Sequence, residues 1–231
     1  MKTVITGQLS TKIKQPVEKL LEKERNPIMH ILHTTPRTDG FCMPAEFDRH
    51  AGCLLIWPTR GDSWRSGGWP ARKAFAAVAA AIARSEEVTM LVAPEQYETA
   101  RAMLPQEVRL VEMETDDSWA RDVCPTFVRN AEGTVRGIDW GFNAWGGLVD
   151  GLYFPWDKDN HAARKVCDLY RADCYDSRDF ILEGGSIHSD GEGTILTTES
   201  CLCSAGRNPD MTKAEIEEKL CSMLGAQKVL W

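Results

Sequence analysis

Residues 53–57 read CLLIW, residues 70–84 read PARKAFAAVAAAIAR and residues 88–93 read VTMLVA, and their succession decides the fold class. The first and third are compact apolar runs of strand length. The middle run is too long for a strand. Its Ala74, Phe75, Val78, Ala81 and Ile82 recur at helical spacing and are expected to share one face. Pro70 suits the first turn of that helix, where its missing N–H costs nothing. Strand, helix and strand at these lengths predict a β–α–β unit. Residues 94–104 then read as a second helix and 108–113 as a third strand.

The alternation continues in both directions. Residues 123–128 and 135–140 predict a strand pair around a turn at 130–133. Residues 158–170 read as a helix, and 180–182 and 194–198 as strands flanking a turn-rich stretch at 189–193. Thr212 and Glu215 form a capping box for a helix that ends at Gly225, and 228–231 begin another apolar strand. The pattern is mixed α/β with several short β–α–β units. Residues 1–40 differ: lysines and Arg25 outnumber the acids there, and Pro27 and Pro36 interrupt structure. The expected organisation is a disordered extension over 1–40, with a short helix at 17–23, followed by one domain over 41–231. Met29 is an alternative start.

The chain has 231 residues, 43% hydrophobic and 26% charged, which describes a globular protein able to bury a core. A net charge of −7 disfavours nucleic acid or an anionic membrane as partner and is compatible with a small cationic substrate. The eight cysteines form no tight framework, and Cys201 and Cys203 lack the spacing of a zinc pair, so free thiols in a cytoplasmic protein are expected. Neither a signal-like segment nor an apolar run of membrane length occurs. No G-x-G-x-x-G or P-loop motif occurs either, so nucleotide binding has no support.

Three segments gather chemistry. Residues 116–122, DDSWARD, pack three carboxylates, a guanidinium and an indole directly after a predicted strand. A solvated turn competes with a functional loop as the explanation. Residues 139–147, DWGFNAWGG, offer flat aromatic walls and glycines that allow close backbone approach, although an apolar loop packed on the core has the same composition. Residues 182–190, LEGGSIHSD, place Glu183, His188 and Asp190 close in sequence, again with a polar turn as the plainer reading. Cys124 sits in a strand-like run and reads as core rather than nucleophile.

Taken in order, MPAEF at 43–47, the Trp57-Pro58 pair, SWARD ending at Asp122, WGFNAWGG at 140–147, YFPWDKD at 153–159 and LEGGSIH at 182–188 resemble the agmatine deiminases, over about residues 35–231. The resemblance implies a pentein-like α/β propeller of ββαβ-like repeats, here incomplete at the C-terminus. It implies a hydrolase acting on the C–N bond of a linear amidine, converting agmatine to N-carbamoylputrescine and ammonia in putrescine biosynthesis. No metal or organic cofactor is implied, and the full-length protein is expected to be a homo-oligomer. Asp122 takes the place of the carboxylate that binds the guanidinium, Trp119 that of an aromatic wall, and Glu183 that of a weaker substrate contact. Arg121 is expected to orient these groups. The family's catalytic histidine and cysteine lie in Gly-His-Val-Asp and Gly-Gly-Gly-Asn-Ile-His-Cys motifs, and neither occurs in this sequence. Residues 184–188 resemble the second motif as a pseudo-repeat in which Ser189 stands at the cysteine's place. The chain alone is therefore expected to be inactive, with unpaired strand edges. Two other readings stay open: an arginine or peptidylarginine deiminase, against which the absence of arginine from 142–147 argues, and a non-catalytic agmatine- or polyamine-binding fragment.

Overall fold

A computed structural model describes residues 28–231. The first β–α–β unit forms as its pattern predicts. Strand β2 (Cys53–Ile56) pairs in parallel with β3 (Val88–Val92), and β3 in parallel with β4 (Arg109–Glu112). All five residues of β3 are buried, which explains its continuous apolar run. The connecting helix spans Trp69–Ile82. Its buried face is not the expected one: Phe75, Ala76, Ala79 and Ile82 pack on Met90 and Val88, whereas Val78 is half-exposed. Alanines fill both faces of this helix, so apolar spacing alone did not fix which one meets the sheet.

A second sheet has the order β1 (Ile31–Leu32), β7 (Cys174–Ile181), β6 (Val135–Gly141), β5 (Thr126–Arg129). β5 and β6 form the predicted antiparallel pair, and β6 runs parallel to β7. The helix Ala162–Tyr170 crosses between them, and its Val166 and Cys167 are fully buried. β7 begins at Cys174, well before the predicted strand at 180, because CYDSRD has too many polar residues to read as a strand. The third sheet has the order β10 (Lys228–Leu230), β9 (Thr194–Leu196), β8 (His188–Ser189). The Thr212–Glu215 capping box and a left-handed Gly225 bound the helix Lys213–Leu224, as predicted.

Two local expectations are corrected. Val123 is helical, in the short helix Ala120–Val123, and β5 starts only at Thr126. Residues 31–40 belong to the fold and not to an extension. β1 pairs with β7, and Pro36 occupies the first turn of a short helix Pro36–Asp39 capped by Thr35, which packs against the helix Lys213–Leu224. Proline here starts a helix instead of ending structure. The expected helix at 17–23 and the remainder of the extension lie outside the described residues.

Candidate active site

Strands β2, β3 and β4 run in parallel, so the loops leaving them gather at one edge of their sheet. The loop after β2 carries Ser63 and Trp64, and the loop after β4 carries residues 116–119. They meet on Asp117, which is 1% exposed. Its carboxylate accepts the Ser63 hydroxyl at 2.5 Å, the Trp64 indole N–H at 2.8 Å, the Ser118 amide at 2.9 Å and the Trp119 indole N–H at 2.9 Å. A buried charge with this many donors is stable where an unpaired one would not be. Trp119 is thereby held against Trp64, with the Trp145 ring edge-on 5.7 Å away, and 41% of its surface is exposed.

A second buried carboxylate supports the first. Asp159 accepts the amides of Asp116 (2.7 Å) and Asp117 (3.1 Å) and the phenolic hydroxyl of Tyr153. Burial pushes its pKa up to about 6, against the pull of those hydrogen bonds. Asp116 reciprocates by accepting the Lys158 amide at 2.8 Å. The 153–159 segment is thus clamped under the 116–119 loop, and Arg60 lies 4.6 Å from the Tyr153 ring centre.

The helix Ala120–Val123 packs on the turn Gly184–Ser186 and on the turn Asp159–His161, which brings the 116–122 and 182–190 segments together beside the 153–159 segment. Asp122 projects from the helix and accepts the Gly185 amide at 3.0 Å. Burial raises its pKa, opposed by that hydrogen bond and by Arg121. A Cβ at Gly184 would overlap the Arg121 carbonyl, and one at Gly185 would lie 2.6 Å from the Asp122 carboxylate, so the approach needs two residues without side chains. Glu183, 2% exposed, is bonded by Arg207 Nε at 3.0 Å. Its pKa is raised by burial and lowered by Arg207, with a small further rise from the charge of Asp122.

The Gly185 hydrogen bond thus brings Asp122 to the turn that follows Glu183, and Trp119 lies just ahead of Asp122 on the same segment. Arg121 points instead to Glu46, at 2.8 Å. His188 is exposed on β8, and Asp190 closes the following turn through the amides of Glu192 and Thr194, so these two do not join Glu183 in a cluster. Ser189 is buried and donates to the Met43 carbonyl at 3.0 Å. Cys124 packs on the core, and burial raises its thiol pKa, which keeps it unreactive. Sequence reasoning missed the organising roles of Asp117, Asp159 and Arg207. DDSWARD offers three acids without marking which is inside, and Arg207 follows no pattern tied to Glu183.

Residues 42–231 match the Porphyromonas-type peptidyl-arginine deiminases, and the chain belongs to that family. It is 57% identical over 203 residues to a Listeria monocytogenes protein named provisionally as an agmatine deiminase, covering 88% of this chain and 56% of the relative. It is 51% identical to the agmatine deiminase of Enterococcus faecalis, whose structure it matches with a TM-score of 0.86 over 88% of this chain and 56% of that one. A substrate-bound Campylobacter jejuni agmatine deiminase variant, 24% identical, shares the fold with a TM-score of 0.72 over 83% of this chain and 55% of that one. The chain thus spans about half the length of the relatives it matches. Among the described residues no helix is long and apolar enough to cross a membrane.

Proposed function

We propose that this chain carries the guanidinium-binding part of an agmatine deiminase, the enzyme that hydrolyses agmatine to N-carbamoylputrescine and ammonia. One observation carries the reading: Asp122 is bonded to the Gly185 amide, in the turn that follows the buried Glu183, and its own segment also carries the half-exposed Trp119. A guanidinium is planar and cationic. A carboxylate grips it with paired charge-assisted hydrogen bonds, and an indole face covers its plane. Asp122 has one oxygen committed to the Gly185 amide and is placed to hold the cation; Glu183, already bonded to Arg207, adds negative potential behind it. Binding a cation lowers the pKa of both carboxylates, so the substrate offsets part of their burial cost.

In the family's chemistry a cysteine thiolate attacks the guanidinium carbon, and ammonia leaves after protonation by a histidine. Water then resolves the thiouronium and regenerates the thiolate. The motifs that carry those two groups do not occur in residues 1–231. The chain by itself therefore binds agmatine without turning it over. The same reading places the protein in the cytoplasm, as a homo-oligomer at full length, with no cofactor in its chemistry and no nucleic-acid partner.

The test is calorimetric titration of agmatine into the purified chain and its Asp122→Asn variant, with ammonia release followed in parallel. Saturable binding that weakens about tenfold or more in the variant supports the reading, since a charge-assisted pair contributes roughly 1.5–3 kcal/mol. Binding indifferent to Asp122, or ammonia release by the chain, overturns it.

A second reading, an arginine or peptidylarginine substrate, is favoured by one feature. Arg164 and Arg178 line a cleft of about 480 Å³ beside Phe142 and Asn143. Arg164 is already paired with Asp139 at 3.0 Å and lies 3.6 Å from Asp176; among the described residues lining the cleft, Arg178 is then the further cation that could meet a substrate carboxylate. Tighter binding of arginine than of agmatine in the same titration decides for this alternative.

A further inference from the structure

The opposite edge of the first sheet holds a different set of donors. His50 precedes β2, Cys53 opens it, and Glu86 lies two residues before β3. The parallel register, Cys53 against Val88, brings them together. The Cys53 amide donates to the Glu87 carbonyl at 2.8 Å, and a Cβ at Gly52 would lie 2.8 Å from that same oxygen, so a glycine is needed for the approach. One donor atom from each of His50, Cys53 and Glu86 lies within 4.8 Å of the others.

The hydrogen bonding leaves these donors facing one another. His50 Nε2 is 2.9 Å from the Glu46 carbonyl. A carbonyl can only accept, so Nε2 carries a proton, and in the neutral imidazole Nδ1 presents its lone pair. Nδ1 lies 3.3 Å from Glu86 Oε2, a buried oxygen that has no aligned hydrogen bond. Two lone-pair atoms at this distance repel unless a positive charge lies between them: either a proton on Nδ1, which makes the contact an ion pair, or a metal ion shared by both atoms. Zinc bonded to nitrogen and oxygen at its usual lengths and a tetrahedral angle holds them about 3.3 Å apart.

We propose that His50, Cys53 and Glu86 bind a divalent transition metal of the zinc class, at the end of the sheet away from Asp117 and Trp119. The nitrogen, sulfur and oxygen donors suit a borderline-soft ion and not magnesium or calcium. The Nε2–H bond to a backbone carbonyl is the supporting contact that metal-bound histidines use. A cleft of about 450 Å³ lined by Asp48, Arg49, His50 and Glu86 opens beside the triad and leaves room for water as the fourth ligand. On loading, Cys53 releases its proton to solvent and binds as thiolate; the carboxylate and neutral imidazole donate directly, and nothing is oxidised or reduced. The ion would tie the start of β2 to the start of β3, stabilising the sheet that positions residues 116–119.

Cobalt(II) titration of the reduced chain, followed by visible absorption, tests this without reference to agmatine. One equivalent is expected to bind with a thiolate-to-cobalt band. That band disappears in Cys53→Ser, and affinity falls in His50→Ala and Glu86→Gln. Zinc is expected to raise the melting temperature of the native chain and not of the variants, with far-UV circular dichroism establishing that each variant folds. A band that persists in Cys53→Ser belongs to another thiol, such as the exposed Cys42 or Cys203, and overturns the proposal. So does the absence of stoichiometric binding. Neither result bears on the deiminase reading.

Discussion

Trp64 and Trp119 stack with ring centroids 5.5 Å apart and planes inclined by 26°, and both indole N–H groups end on the carboxylate of Asp117, one on each oxygen. The half-exposed wall of the candidate site is therefore not a loose aromatic. Its plane is set by a buried charge that touches nothing on the solvent side. Asp117 is in turn placed through its own backbone amide, which Asp159 accepts. The chain of control runs from the 153–159 segment through two carboxylates to the ring.

Asp117→Asn should loosen that wall. An amide offers one acceptor oxygen and a donor NH₂ group, so one of the indole N–H groups would face another donor. The expected result is a loss of about 1–3 kcal/mol in stability, the usual cost of leaving a buried donor unsatisfied. The near-ultraviolet dichroism of the Trp64–Trp119 pair should shrink, and agmatine binding should weaken while the far-ultraviolet spectrum stays unchanged. An unaltered near-ultraviolet signal would show that stacking alone holds the ring.

Arg207→Ala should be more severe. The Glu183–Arg207 pair is nearly buried on both sides, with 3% and 11% of the side chains exposed. Removing the cation leaves a carboxylate inside the protein with Asp122 as a neighbour. Breaking a buried pair from one side costs about 3–5 kcal/mol. Denaturant melts of Arg207→Ala and of the double variant Glu183→Gln/Arg207→Ala check this. The double variant should recover part of the loss, because the stranded charge is gone. Equal melting of the two would mean that Glu183 takes up a proton at little cost.

The sequence made some of this legible and hid the rest for identifiable reasons. The 53–113 alternation, the hairpin at 126–141 and the capping box at Thr212 are local patterns, and local patterns carry their own geometry. The deciding carboxylates are different. Asp116, Asp117 and Asp122 share a seven-residue stretch, yet one binds a backbone amide of the 158 segment, one is a fully buried hub and one faces Gly185. Which is which depends on Ser63, Trp64 and Asp159, 42 to 54 residues away. No spacing rule reaches that far. Gly184 and Gly185 are visible as glycines, but the Arg121 carbonyl and Asp122 carboxylate that require them come from another segment. The unexpected buried face of the helix Trp69–Ile82 has a similar cause, since alanine is small enough to pass for core on any side.

Asp159 gives the protein a pH dependence whose sign follows from its environment. Burial raises its pKa from 3.8 to about 6, and the charge of Asp116 adds to the rise. Between those values the folded chain holds the proton more tightly than the unfolded chain does. This contribution to stability is fully present below about pH 4 and is lost as pH rises through about 6. Each pH unit between the unfolded and folded pKa is worth roughly 1.4 kcal/mol, so the loss amounts to about 3 kcal/mol. Asp122, Glu183 and Asp139 are raised by burial in the same direction and add the same sign, so the native chain alone cannot isolate the effect. Comparison with Asp159→Asn does. The variant cannot ionise, and the stability of the native chain relative to it should fall by about 3 kcal/mol between about pH 4 and pH 7. Urea melts of both proteins across that range measure the difference directly. A flat difference would mean that Tyr153 and the amides of Asp116 and Asp117 hold the carboxylate ionised throughout, with its desolvation fully offset by those hydrogen bonds.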